Sequence, residues 1–275
     1  MEKTNSAYIE LLKKVLSDYH RLSMPEYRPL YKEPGVKIKL LQLLDKILRT
    51  RNFAVCSINK IDEEMRMNGT GRPVYADTMV GMKRLNNVEF CIKEVIKNNI
   101  AGDFIELGVW RGGSVILMRA LLKELNSTDR TVWVADSFAG LPPPDVLKYP
   151  ADRGDKLSQF SELAISEEQV KHNFEKYGLL DDKVKFLKGW FKDTLTSAGI
   201  DKLAVLRLDG DMYESTMDGL VNLYPKLSIG GYIIIDDWGA IPACRKAVED
   251  YRKQQNINEE IIEIDWTGVF WKKMK

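Results

Sequence analysis

The stretch RLDGDMYEST, residues 207–216, sets Asp209 and Asp211 one glycine apart directly after the apolar run LAVLRL. Carboxylates are costly to desolvate, so a pair of them at the end of an apparent buried strand needs a reason. A second acidic strand end follows in GGYIIIDDWGA, where Asp236 and Asp237 close another apolar run. In a parallel sheet these ends bring Asp209, Asp236 and Asp237 to the carboxyl edge, where such folds bind ligands. At about 4 Å and an effective dielectric near 20, each close pair of like charges costs on the order of 4 kcal/mol. A hard divalent cation removes that cost. Oxygen-only ligation with room for water or substrate suits Mg2+, with Mn2+ or Ca2+ as substitutes, better than zinc. The competing reading makes these acids separate helix caps or partners of Arg207 and Arg245. Recurrence of the pattern on two strand ends favours the metal. Asp211 is expected to serve only loop or cap hydrogen bonding.

Two further stretches suggest a ligand. IELGVWRGGS joins a strand to a helix: Gly108 permits a tight turn, and Gly112 and Gly113 open a helix whose first amides can face an anion. Its G-x-x-x-G-G spacing is not the dinucleotide fingerprint, so a purely structural turn is as good a reading of the glycines alone. Glu106, at the strand end, tilts it towards a ligand amino group or hydroxyl. VWVADSF ends the next strand in Asp136, the position at which doubly wound folds place an acid on ribose hydroxyls; the plainer alternative is a helix cap. Ser137 and Phe138 are assigned to the same pocket. So are Gly189 and Trp190 of LKGWFKDTL, where the indole would flank a planar base or else pack on the sheet. His20 and His172 lie on charged helices and read as surface or packing residues.

The elements that must position these residues alternate regularly from residue 102. The order is strand DFIELG, helix 112–125, strand TVWVAD, helix SEEQVKHNFEKYG, strand KVKFLKG, a short helix, strand AVLRLD, helix STMDGLVNLYPKL and strand GGYIIIDD. This spacing predicts βαβ units and a doubly wound, mostly parallel α/β sheet. After the helix AIPACRKAVEDYRKQQ, the runs around Thr267 and Gly268 read as an antiparallel terminal hairpin, giving seven strands. The segment 138–164 is too long for a connector and carries Tyr149, Phe160 and Leu163, which predicts a lid. Upstream, YIELLKKVLSDY and IKLLQLLDKILRT have helical periodicity, SMPEYRPLYKEPG reads as a connector, and residues 78–99 form a long helix into the core. Residues 1–77 are therefore expected to be a helical appendage with oligomer contacts, and residues 78–275 the core domain.

Composition narrows the function classes. The 275 residues carry 41 Lys plus Arg against 40 Asp plus Glu, a formal net charge of +1, which gives no reason to expect a nucleic-acid partner. Cys56, Cys91 and Cys244 are odd in number and scattered, so neither a disulfide framework nor a zinc site is suggested. No apolar run approaches the roughly 18 residues of a membrane span. A soluble protein of a reducing compartment, the cytoplasm, is expected.

Taken together, GDFIELGVWRGGS, DRTVWVADSFAGLPPPD, KYPADRGD, YGLLDDKVKFLKGWFKDTL, LAVLRLDGDMYESTMDGL, GGYIIIDDWGAIPACRKAVEDYR and IDWTGVFW resemble the macrocin O-methyltransferase family from about residue 77 onward. The resemblance implies a class I, Rossmann-like methyltransferase fold. It also implies Mg2+-dependent transfer of a methyl group from S-adenosylmethionine to a hydroxyl on a deoxysugar of a natural-product glycoside. It places the metal on Asp209, Asp236 and Asp237, the general base on Asp209, the ribose on Asp136, and Thr78 and Met79 near the cofactor. It further implies that the N-terminal region contributes to an acceptor pocket and a homodimer or larger assembly. Two rival readings remain at this stage. LDGD and IIIDD superficially match haloacid-dehalogenase-type phosphatases, although the motifs are close together and late in the chain and Tyr213 stands where Thr or Val is expected. A non-catalytic cofactor-binding scaffold is the other.

Overall fold

The computed structural model describes residues 6–29 and 39–275. Helix α1 (Ala7–Leu16) turns Ile9, Leu12 and Leu16 inward on one face, where they join the apolar core that also holds the inner faces of α4 (Met82–Lys97) and α5 (Gly113–Glu124). Its stripe is thus consumed within the chain. Around α2 (Lys39–Arg49), two short strands, β1 (Glu26–Pro29) and β2 (Cys56–Asn59), pair antiparallel. This corrects the expectation of helices and loops alone. Four residues per strand carry too little alternation to be read from sequence, and β1 lies inside the proline-bearing stretch read as a connector; residues 30–35 of that stretch lie outside the described residues. Helix α3 (Glu63–Asn68) is capped by Asp62, whose side chain accepts from the Met65 amide at 2.7 Å.

The core then runs β3 (Asp103–Leu107), α5, β4 (Val132–Asp136), α6 (Glu167–Lys176), β5 (Val184–Lys188), α7 (Phe191–Thr194), β6 (Leu203–Leu208), α8 (Tyr213–Leu223), β7 (Leu227–Ile235), α9 (Pro242–Gln254), β8 (Ile262–Glu263) and β9 (Val269–Lys272). The sheet order is β5-β4-β3-β6-β7-β9-β8. Strands β3 to β7 are parallel, β9 runs antiparallel to β7, and β8 antiparallel to β9. The predicted fold class is therefore observed, with its terminal hairpin. Winding proceeds outward from β3 in one direction and from β6 in the other, so the crevice between the carboxyl ends of β3 and β6 is the topological switch point.

Alternation along each strand divides two cores. Phe104, Val134, Val205 and Ile234 face α1, α4 and α5, whereas Ile105, Leu107, Leu206, Leu208, Ile233 and Ile235 face α8 and α9. Each buried aliphatic side chain contributes about 1.5–3 kcal/mol, which fixes the register of every strand against a slip. That register has a chemical consequence. Glu106 and Arg207 are direct partners across β3 and β6, and both belong to the face that looks towards α4.

Candidate active site

Gly108 ends β3 at φ +82°, and a Cβ there would collide with the carbonyl oxygen of Asp209. The close approach of these strand ends therefore requires glycine, and it brings the glycine turn against the acidic turn. The same cleft is lined by Met79, Gly108, Trp110, Asp136, Ser137, Gly189, Trp190, Asp209 and Asp211, together with Leu141, Pro142 and Leu163 of the long loop, and Phe191, Gly210 and Ser215. Seven of the sequence-predicted residues thus meet in one crevice.

On the β4 side, Asp136 Oδ2 accepts from the Val109 amide at 2.8 Å and Oδ1 from the Phe138 amide at 2.7 Å. The carboxylate thereby ties the ends of β3 and β4 together, which combines the turn-capping alternative with a position on the cleft. Burial pushes its carboxyl up, and these backbone N–H donors hold it back. The Ser137 hydroxyl also lies 3.4 Å from Oδ1. Ser137 Oγ donates to the Gly140 carbonyl at 2.6 Å. Phe138, at φ +55°, does not line the cleft; its ring packs on Phe186 with centroids 6.0 Å apart and fixes the turn from behind. Thr78 also lies outside the lining: its hydroxyl accepts from the Val80 amide at 3.0 Å, and its neighbour Met79 reaches the cleft instead.

On the β6 side the acids form a cluster braced by two buried arginines. Arg207, fully buried, donates to Glu106, to Asp209 Oδ2 at 2.8 Å, and to Asp236 Oδ1. Arg84, from α4, takes the other oxygen of Asp236 and also bonds Asp265 at 2.9 Å. The pairing that the sequence offered as an alternative to metal binding is thus real for Arg207. Arg245 instead pairs with Glu249 at 2.8 Å and stacks on Trp238. Glu106 is turned under the cleft onto Arg207, not into it, and its Oε2 is buried without a hydrogen-bond partner. Burial, opposed by Arg207 and reinforced by the charges of Asp209 and Asp236, raises its pKa to about 8.

Four carboxylates, Glu106, Asp209, Asp236 and Asp265, share these two guanidiniums, and Asp237 and Asp211 add two more. Burial, then repulsion from Asp211, Asp209 and Asp236, drives the Asp237 carboxyl well up; burial with the charges of Asp209 and Asp236 does the same to Asp211. The cluster is short of positive charge. One oxygen from each of Asp209, Asp236 and Asp237 lies within 4.8 Å of the others, an all-oxygen set that fits a hard divalent cation. Asp209 is raised to about 6, by burial first and by Asp236 second, with Arg207 opposing.

Asp211 lines the cleft at φ +59°, and its amide donates to Asp237 Oδ2 at 3.3 Å, a loop hydrogen bond of the kind expected, made beside the acid cluster. One-glycine spacing after a strand carried that signal, since a tight turn returns the second acid to the same edge. Arg84 and Trp110 were missed for another reason: nothing local distinguishes an arginine in MKRL, and its partner Asp236 is 152 positions away. Both histidines are exposed, and Cys56, Cys91 and Cys244 are free thiols. No helix among the described residues is long and apolar enough to cross a membrane.

Comparison with known proteins agrees with this geometry. The macrocin-O-methyltransferase (TylF) family profile matches residues 5–273. The chain is 53% identical over 214 residues, 78% of its length and 82% of the relative's, to demethyldecarbamoylnovobiocin O-methyltransferase of Streptomyces niveus. It is 54% identical over 212 residues, 77% and 81% of the two chains, to 8-demethyl-8-(2,3-dimethoxy-alpha-L-rhamnosyl)-tetracenomycin-C 4'-O-methyltransferase of Streptomyces olivaceus. The solved structure of the O-methyltransferase NovP superposes with a TM-score of 0.83 at 44% identity, covering 99% of this chain and 100% of that one. Nothing in these matches favours a phosphatase. A class I methyltransferase sheet, a crevice at its switch point and a match across nearly the whole sequence lead to one conclusion: the chain is an O-methyltransferase and belongs to the macrocin-O-methyltransferase family.

Proposed function

We propose that this enzyme methylates a sugar hydroxyl of a natural-product glycoside, taking the methyl group from S-adenosylmethionine in the presence of Mg2+. The observation that carries this reading is the single cleft that Asp136 and Asp209 line from opposite sides. The relatives' names support the acceptor class: one is named for demethyldecarbamoylnovobiocin, another for a rhamnosyl-bearing tetracenomycin C.

In this reading Asp136 accepts from the ribose hydroxyls, Gly108 and Gly189 leave room for the ligand backbone, and Met79, Ser137 and Trp190 enclose it. The sulfonium supplies an electrophilic methyl group. Asp209, Asp236 and Asp237 hold the cation, which when bound polarises the acceptor oxygen and orients it. Asp209 is the one of the three that lines the cleft, with its side chain a quarter exposed, so it is placed to take the hydroxyl proton at Oδ. Arg207 and Arg84 keep Asp209 and Asp236 from rotating away, and loop 138–164 excludes water from the crevice. Much of the rate comes from this positioning.

Residues 1–77 contribute assembly contacts in this reading. Leu41, Leu44 and Ile47 of α2 and Ile58 of β2 are exposed apolar side chains, and they support a homodimer or larger assembly.

The experiment is a methyl-transfer assay with S-adenosylmethionine and the acceptors named for the two relatives, with Mg2+ or a chelator. Methylated glycoside and loss of turnover in chelator are expected. Transfer that is indifferent to chelation would remove the metal from the reading, and no transfer to any glycosylated acceptor would remove the sugar.

A further inference from the structure

Beyond the turn that Phe138 anchors on Phe186, the loop over residues 138–164 is held to the rest of the chain near its end and in its middle. Near its end, Trp110 Nε1 donates to the Glu162 carbonyl at 3.0 Å, and Arg72 meets the Glu162 carboxylate at 3.1 Å. In its middle, the short turn Pro150–Asp152 packs on α8 and α9. There Asp152, 2% exposed, accepts from two backbone amides, Tyr213 at 2.7 Å on Oδ1 and Glu214 at 3.1 Å on Oδ2. The rings of Tyr149 and Tyr213 lie 5.9 Å apart beside it.

Those two amides are the first of α8, and the helix has no cap of its own: Met212 occupies the N-cap position and offers no side-chain acceptor. The four orphan N–H groups of a helix start need partners, and here two of them are met from a distant loop. Directly upstream is the turn Asp209–Met212, in which Asp211 holds a left-handed conformation. We propose that Asp152 is a positioning residue that ties the long loop to the acid-bearing turn, so that Asp209 and Asp211 keep their geometry only while the loop is docked. The capping contact restrains the turn, and the turn aims Asp209 at the cation; this last link rests on the functional reading above.

Hydrogen exchange and calorimetry on the full chain test this, using wild type, Asp152→Ala, Asp152→Asn and the control Asp145→Ala. Asp145 caps the Lys148 amide at 3.2 Å within the same loop but is exposed. Losing a helix cap costs about a factor of five to ten in local opening. Amides of residues 210–215 should therefore exchange about tenfold faster in Asp152→Ala, with little change in Asp145→Ala. Affinity for Mg2+ alone should fall about fivefold, while that for S-adenosylhomocysteine stays within about twofold, because Asp136 keeps its own bonds. Asp152→Asn retains one acceptor and should recover part of both effects; it also serves if the alanine variant does not fold. Unchanged exchange over 210–215, equal effects from Asp145→Ala, or matching losses of both affinities would overturn the proposal. A wild type that binds no Mg2+ would instead sink the metal reading, and the exchange data would still decide this one.

Discussion

The buried pair of Glu106 and Arg207 makes a quantitative prediction about stability and pH. Glu106 has its pKa raised from 4.5 to about 8, chiefly by burial. Below 4.5 the carboxyl is neutral in both folded and unfolded chains, so it contributes no pH dependence there. Between 4.5 and about 8 the unfolded chain releases the proton and the folded one retains it. The unfolded state then binds fewer protons, and stability falls as pH rises, by about 1.4 kcal/mol per pH unit. From about pH 6 to about pH 7.5 the loss is about 2 kcal/mol. With an unfolding entropy of about 2.1 cal/mol/K per residue, a chain of 275 residues loses about 0.6 kcal/mol per degree near its midpoint, so Tm should drop by about 3–4 °C. Glu106→Gln keeps the acceptor for Arg207 but cannot titrate. Its amide NH2 replaces a carboxylate oxygen that has no partner, so its absolute stability falls by about 1–3 kcal/mol, yet its slope over this window should be flatter by the same 2 kcal/mol. The assay is calorimetric unfolding of both proteins across the pH range in chelator, so that only the chain's own charges are read. Parallel profiles for wild type and Glu106→Gln would refute the argument.

Asp209→Asn should lower turnover about 10²–10⁴-fold, the range for loss of a general base, and high Mg2+ should rescue it less than it rescues Asp236→Asn or Asp237→Asn in a titrated methyl-transfer assay; wild-type rates from Asp209→Asn would sink the base assignment. Asp211→Asn should also lose activity, since that acid lines the cleft beside Asp237. Asp136→Ala should weaken S-adenosylhomocysteine binding about 10–100-fold by calorimetry, the value of one or two charge-assisted hydrogen bonds, and unchanged affinity would displace the ribose from this carboxylate. Light scattering at micromolar concentration should find a dimer or larger species that Leu44→Glu reduces to monomer; a monomeric wild type would contradict the reading of α2.

How much of this was legible beforehand differs by element. Strands β3 and β6 could be read as continuous apolar runs ended by glycine or aspartate, because they are buried on both faces, whereas β5, at the sheet edge, exposes its lysines and was read from the alternation of strands with helices. A parallel sheet then implied the carboxyl edge at which Asp136, Asp209, Asp236 and Asp237 end their strands, while the switch point itself followed from the observed strand order. The two strands β1 and β2 were not legible, since four residues are shorter than any reliable alternation and their pairing spans α2.

Sequence by itself determined the residue types at the carboxyl edge, hence an acidic, oxygen-donating site beside a glycine turn. Tertiary structure decided how those charges are balanced. Glu106 turns onto Arg207 because the register of β3 and β6 makes them neighbours, Arg84 reaches Asp236 because α4 lies on that face of the sheet, and Asp152 arrives at α8 from 61 positions away. Each of these contacts depends on distance through space between segments remote in the chain. Electrostatic energy follows that distance and the local burial, and neither quantity is encoded in any short stretch of residues.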